Sequence, residues 1–483
     1  MNKLTTNLKN KELNIPTLTK LYVWSVLFEP LLYFVIVPQN ISGIGGNISR
    51  VFQLIVLILL SIKVLLSLKI KFWNPLSSDS LYYTYYFIFI SLTGIIGYFT
   101  GTYTNPYFGD SELEILNNNA LATFITGALF RPIFEYFIVL YYFVYFVILA
   151  QYMLVKKVEI DYFFRWFNVL FLTCILVGFI DLFLMHVLHP VPEWMKTLNL
   201  YYHGIGRHIA DTQYPGTRFH GIAGEPRDAF VYLILCIGIF TLRDIWQKQK
   251  KLTFYWLILI TTAMLLTESF SAMLGIIFSV ILLMIFYLID LKLKKQLFFM
   301  FMFFIAILVV SVYTNHSIRL SAYYIGFLTV YDSLSRGEVI TSALKVSMNN
   351  IYPVWHLWLE VKEFNFFHLF FGNGLGSSSV INNYYWQANP SRVINPNSSI
   401  VRMIYDSGMI GIFLFILAFI MPLKRLNIEY KIYLKFKFLM LIILGLYFAH
   451  RSVVPYVFLG IALVVFRYKL NEMNSKIQSS NEK

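Results

Sequence analysis

Of the 483 residues, 58% are hydrophobic, 18% aromatic and only 13% charged, with a mean hydropathy of +0.65. A soluble domain carries about 45 to 50% apolar and about 25% charged residues, so this composition excludes a soluble globular enzyme and implies a polytopic membrane protein. The net charge of +14 comes without an RNP, zinc-finger or helix-turn-helix pattern, so nucleic acid is not an expected partner.

A bilayer core of about 30 Å requires roughly 20 apolar residues per helix. That ruler predicts about twelve spans, near 20–38, 51–70, 81–100, 133–155, 166–188, 228–243, 253–268, 270–291, 297–314, 400–421, 437–450 and 452–468. The first follows Lys3, Lys9, Lys11 and Lys20 and precedes no small-residue cleavage site, which reads as an uncleaved anchor. The expected fold is therefore an all-α polytopic integral membrane protein, a single membrane domain over 1–483.

Orientation follows from the loops. With a cytoplasmic N-terminus, 26 of the 39 Lys and Arg residues fall in inside segments and 13 outside, and every inside loop is positive. The positive-inside rule then gives N-in and C-in. The kind of cation reverses across the membrane: 22 Lys and 4 Arg inside, 3 Lys and 10 Arg outside. Lysines held inside need no further account. Arginines outside either snorkel to lipid headgroups or present planar forks to phosphate and carboxylate groups.

All nine histidines fall on or near the outer side in this topology, together with the two longest loops, at 189–227 and 315–399. Long loops carry function more often than short ones. The first ends in TRFHGIAGEPRDAF, which gathers Arg218, His220, Glu225 and Arg227 before the sixth span, with Pro226 suited to the first turn of that helix. Cations, glycines and a helix N-terminus together describe an anion site. The alternative is a Gly-Pro helix start with an internal pair between Glu225 and an arginine.

In the second loop, 351–371 is dense in Trp, Phe and His, and predicts a short helix lying in the membrane interface. It serves either to hold a lipid-linked substrate or to cap the bundle. The run FFGNGLGSSS follows, with Gly372, Gly374 and Gly376. No Gly-Lys-Ser/Thr follows it and no strand precedes it, so it is not a nucleotide loop. It is either a backbone nest for an anion or a flexible turn. The loop closes on NPNSSIVRMIYDSGMIG, placing Asn397, Ser398, Arg402 and Asp406 at the start of the tenth span. Arg402 and Asp406 stand four residues apart, on one helix face, where a mutual salt bridge is one expectation and a functional ionisable pair the other.

The close histidine pairs, His186 with His189 and His203 with His208, have no carboxylate context of a zinc site, and no metal is expected. Cys174 and Cys236 lie in apolar runs and form neither a metal spacing nor a disulfide framework.

On these residues the chain resembles the O-antigen polymerase and O-antigen ligase superfamily of bacterial envelope polysaccharide assembly, of which the polymerase branch is called Wzy-type. The resemblance covers about the last two thirds of the chain. It rests on the Arg218/Gly221/Glu225-Pro226 cluster, the TESFSA turn at 267–272, Ser335-Arg336, the GNGLG run and NSSIVRMIYDSGMIG. The ligase branch usually has His-Asn at the last motif and Ser-Arg in the earlier turn, where this chain has Asn397 and Phe270, so the resemblance points to a polymerase.

What the resemblance implies is a glycosyltransferase of the bacterial inner membrane with its active site facing the periplasm. It would transfer a glycan from undecaprenyl diphosphate to a sugar hydroxyl of the next lipid-linked repeat, in O-antigen or capsule synthesis, without metal, nucleotide or other cofactor. Its implied partners are the lipid-linked oligosaccharide, the bilayer and a chain-length-regulating co-polymerase. In this setting Arg218, Arg336, Arg402 and Arg227 are the expected diphosphate ligands, and Glu225, His220 and Asp406 the groups available to orient or deprotonate the acceptor hydroxyl. Asn397, Ser398, Gly372 and Gly374 shape the substrate loop. The rival readings are a ligase joining glycan to a lipid core and, from another class, a flippase for lipid-linked oligosaccharide. A flippase would place its charges in a central cavity between two repeats.

Overall fold

The computed structural model describes residues 15–29, 48–67, 77, 80–99, 130–187, 219, 226–247, 250–267, 270–289, 366–378, 399–424, 426, 430–449 and 451–481. Every regular element among them is helical. In chain order these are α1 (Thr17–Phe28), α2 (Ile48–Ser67), α3 (Leu81–Phe99) and α4 (Phe130–Phe143). A π-helical segment, Val144–Ile148, leads from α4 into α5 (Leu149–Met153). Then come α6 (Lys157–Val187), α7 (Pro226–Gln247), α8 (Lys250–Leu266), α9 (Phe270–Ile289), the short α10 (Phe366–Phe371), α11 (Ser399–Lys424), α12 (Tyr430–Ala449) and α13 (Val454–Asn481).

Six stretches among the described residues are long and apolar enough to cross a bilayer: Ile133–Met153, Lys157–Ile180, Ala229–Gln247, Ser399–Lys424, Ile432–Ala449 and Val454–Glu472. The chain is thus a membrane-embedded, multi-pass helical protein. The ninth expected span, 297–314, lies outside the described residues, as does the part of the first beyond residue 29. Two helices run longer than hydropathy marks them. α6 starts at Lys157 and α13 continues to Asn481, because no proline or glycine interrupts the polar ends that hydropathy discounts. As the sequence suggested, Pro226 opens α7. There the missing N–H costs nothing, since the first helical N–H groups lack intrahelical partners in any case.

In lipid there is little hydrophobic gain from helix–helix contact, so close packing of small residues holds such bundles together. The α9–α12 pair, the most extensive contact between helices, shows this. Gly445 lies so close to Ser279 that an added Cβ would overlap the Ser279 backbone. The Ser279 hydroxyl donates to Gly275 O at 2.7 Å and to Ile442 O of α12 at 2.9 Å. α3 packs against α11, and α1 against α2. Leu54, Ile58 and Ile62 on α2, and Ile88, Leu92 and Ile95 on α3, remain exposed at helical spacing, as apolar stripes facing lipid do.

Candidate functional site

α11 does not run straight. Gly408 has φ 64° and ψ −172°, which interrupts the helix two residues after Asp406. Such a break frees backbone carbonyls, and at membrane depth they need partners. The segment after α10 supplies them. Asn373 N–H donates to Tyr405 O at 2.7 Å and Gly374 N–H to Asp406 O at 3.0 Å. The Asn373 side-chain amide adds a bond to Tyr405 O at 3.3 Å.

Asp406 completes the joint. Its Oδ1 accepts from Ser378 N–H at 2.8 Å and from the Ser377 hydroxyl at 3.1 Å. Gly372, with φ 78°, sits directly on the Asp406–Ser407 backbone, and Gly408 sits on the Phe370 carbonyl. No side chain fits at either point, and both torsions favour glycine. The GNGLG run is therefore a helix-docking turn. The N–H groups of Gly372, Asn373 and Gly374 are used on the carbonyls of His368, Tyr405 and Asp406, so they do not form an open anion nest.

Of the expected interfacial helix, α10 is the described part; 351–365 lies outside the described residues. Phe366, Phe367, Phe370 and Phe371 are all exposed, and Phe367 stacks on Phe371 with centroids 4.8 Å apart. This apolar surface stands beside the joint just described.

Arg402 does not pair with Asp406 as helix spacing allowed. Its Nη2 lies 2.7 Å from Oε1 of Glu135 on α4. The other carboxylate oxygen, Oε2, accepts from Nη1 of Arg451, in the turn between α12 and α13, at 2.8 Å. The carboxylate is buried and so is Arg402. Distance along the chain hid this partner: 267 residues separate Glu135 from Arg402 and 316 separate it from Arg451. A helix-local pair loses to it because Asp406 already accepts bonds that anchor the docking turn.

Aromatic rings line the same region. Phe415 of α11 lies 5.2 Å from Tyr447 and 5.3 Å from Tyr86 between ring centroids, and Tyr456 packs on Phe419 at 4.9 Å. Arginines against such walls interact with charge far more strongly than in water.

A second buried polar cluster ties α1, α2 and α4. Glu29 accepts from Ser49 and, at 2.5 Å, from the Gln53 amide, and pairs with Arg50 at 2.9 Å. Tyr141 donates to the Gln53 carbonyl oxygen at 2.5 Å, and its neighbour Tyr142 lies beside both Arg50 and Arg451. The two clusters thus meet along one face of α4.

Of the residues marked from the sequence, the structure brings Arg402, Asp406, Gly372 and Gly374 into one place. Arg218, His220, Glu225, Arg336, Asn397 and Ser398 lie outside the described residues, and so does the side chain of Arg227, whose backbone belongs to the first turn of α7. Within the first long loop, Phe219 is described: its N–H donates to Leu266 O at 2.7 Å and its ring fills the space over Gly178. That fixes the backbone between Arg218 and His220 at the end of α8.

Glu29, Glu135 and Arg451 were not marked from the sequence. A signal for the two glutamates existed, since a carboxylate inside an apolar span is costly unless it has a purpose. No family model, curated protein or solved structure matches the chain.

Proposed function

We propose that the protein is a polysaccharide repeat-unit polymerase of the bacterial inner membrane, a twelve-span, N-in/C-in enzyme working at the periplasmic face. The observation that carries this reading is the meeting of the buried Arg402 and Glu135 with the partly buried Arg451 beside the kink of α11. Two guanidiniums in an aromatic-walled, largely buried place suit a reaction whose developing charge falls on a diphosphate. The Arg-rich outer segments and the residue motifs of both long loops support the same reading.

In the proposed reaction a sugar hydroxyl oxygen of one lipid-linked repeat bonds to the anomeric carbon of another. The bond from that carbon to the diphosphate oxygen breaks, and its electron pair stays on the diphosphate. The hydroxyl proton passes to Glu225 or His220 and from there to water or the released diphosphate. Arg218, Arg336, Arg402 and Arg227 take the diphosphate, while Asn397, Ser398 and the joint made by Gly372 and Gly374 shape the substrate loop. Asp406 acts by holding that joint to α11. The cleaved bond supplies the driving force, so neither nucleotide nor metal is required. A chain-length-regulating co-polymerase is the proposed partner.

The test uses purified, detergent-solubilised protein with one synthetic undecaprenyl-diphosphate repeat unit, without metal or nucleotide. A product ladder spaced by whole repeats and lost in Arg218→Ala is expected. Transfer onto an added lipid core without elongation makes the protein a ligase. Loss of both activities in a preparation that moves the substrate across vesicles makes it a carrier.

A further inference from the structure

Near its end α7 carries a charge that the bundle does not answer. Arg243 is 2% exposed, and the partners it has are neutral. Its Nη1 donates to Asn168 Oδ1 of α6 at 2.8 Å, and its Cζ stands over the Phe240 ring, 4.7 Å from the centroid. Nε and Nη2 are buried and meet no acceptor. The buried Arg402, by contrast, has the carboxylate of Glu135. The chain neighbour Asp244 lends Arg243 a favourable field but bonds neither Nε nor Nη2. A guanidinium does not lose its proton in a protein, so Arg243 holds its positive charge away from water, which is costly until an anion meets it.

The two idle groups belong together. Nε–H and the Nη2–H beside it point the same way along one edge of the guanidinium, the edge that takes two oxygens of a phosphate at once. We infer that this edge of Arg243 holds the headgroup phosphate of an anionic phospholipid, at a site independent of the polymerase reading.

Depth and surroundings point to a lipid. The span Ala229–Gln247 has 19 residues, about as long as a bilayer core is thick. Arg243 stands one turn before its end, about 6 Å along the axis, where an arginine side chain reaches headgroup level. Trp246 marks the same end as interfacial: its Nε1 donates to Asp161 Oδ1 at 2.7 Å, near the start of α6, and Lys469 lies 5.3 Å from its ring centroid. Trp gathers where a bilayer meets water. Lys156 and Lys157 stand at the start of α6, and Lys248, Lys250 and Lys251 at the junction of α7 and α8. Cations so concentrated favour anionic over zwitterionic lipid. Protein covers the edge, so a headgroup reaches it as the end of α7 gives way; Gln247, which ends that helix, is exposed.

The experiment melts the purified full-length protein in detergent with added phosphatidylglycerol, phosphatidylcholine or inorganic phosphate, and measures retained lipid by native mass spectrometry. Phosphatidylglycerol is expected to raise the midpoint of wild type by several degrees, because it binds the folded state; phosphatidylcholine and inorganic phosphate are expected to raise it less. Arg243→Gln removes an unanswered charge. It is therefore expected to melt no lower than wild type without lipid, to lose the gain from phosphatidylglycerol and to retain several-fold less of it. Arg243→Lys, which keeps charge without the double edge, is expected to keep part of both. A purely structural arginine behaves otherwise: its loss lowers the midpoint and leaves the gain from phosphatidylglycerol intact. Should the variants not fold, wild type is reconstituted with phosphatidylglycerol bearing a photoreactive headgroup, and crosslinks are expected at the end of α7 and the start of α6.

An equal gain from phosphatidylcholine, a phosphatidylglycerol gain that Arg243→Gln keeps, or crosslinks confined to other segments overturns the lipid site. So does a gain from inorganic phosphate equal to that from phosphatidylglycerol, which assigns the edge to a soluble anion. The ladder assay judges the polymerase reading separately, since none of these outcomes depends on it.

Discussion

At Gly408 the backbone torsion and the close approach of Phe370 leave no room for a side chain. Gly408→Ala must therefore distort either α11 or the docking turn. A non-glycine residue held in such a torsion costs about 1–3 kcal/mol, before any clash, and a lower melting midpoint of the solubilised protein is the expected readout. Asp406 tells the two sides of the joint apart. Asp406→Asn keeps an acceptor for the Ser378 N–H and should melt close to wild type, whereas Asp406→Ala leaves that buried N–H unpaired at about 1–3 kcal/mol. Equal melting of the two variants would show that these bonds do not anchor the turn. Glu135→Ala is a harsher change, because it leaves the buried Arg402 and the partly buried Arg451 without their shared carboxylate. Breaking a buried ion pair from one side costs about 3–5 kcal/mol, so a large drop in folded yield is expected, partly recovered by Glu135→Gln.

At the scale of elements, the helices owe their pairing to small residues and to a few buried polar bonds. Gly445→Leu puts a bulky side chain against the Ser279 backbone and pushes α12 away from α9. Overpacking of this kind costs about 1–3 kcal/mol, and the Ser279 bond to Ile442 O is lost with it. The solubilised variant should lose its folded, monodisperse fraction on gel filtration at a lower temperature than wild type, while Gly94→Leu should not. Gly94 has nothing within 4 Å of an added Cβ and lies in α3, which packs against α11. Two glycines of equal standing in a hydropathy profile thus differ in consequence, and the neighbour from another helix makes the difference.

For the whole molecule, the Lys and Arg distribution gives an orientation that solution labelling tests directly. A reporter that fluoresces only in the cytoplasm, fused after Lys483, should be bright, and a phosphatase active only in the periplasm should be inactive at the same position. The opposite pair of results would overturn the orientation expected from the Lys and Arg distribution, and with it the periplasmic site of the proposed reaction.

Membrane embedding, helical class and most helix positions are written in the chain locally, because about 20 consecutive apolar residues have a single low-energy use in a bilayer. The starts of α7 at Pro226 and α11 at Ser399 were legible for the same reason: their signals lie within one turn of the helix they open. Part of the site was legible too, since Arg402 and Asp406 stand together in one motif. Their partners were not. Glu135 meets Arg402 from α4, Arg451 joins them through Glu135 from the turn between α12 and α13, and the GNGLG run finds its acceptors on a helix broken at Gly408. Periodicity and spacing describe what a residue does for its own helix. Which carboxylate answers a buried arginine, and which carbonyl answers a loop N–H, is decided by the packing of distant segments, where burial makes an unmet charge or hydrogen bond too costly to leave.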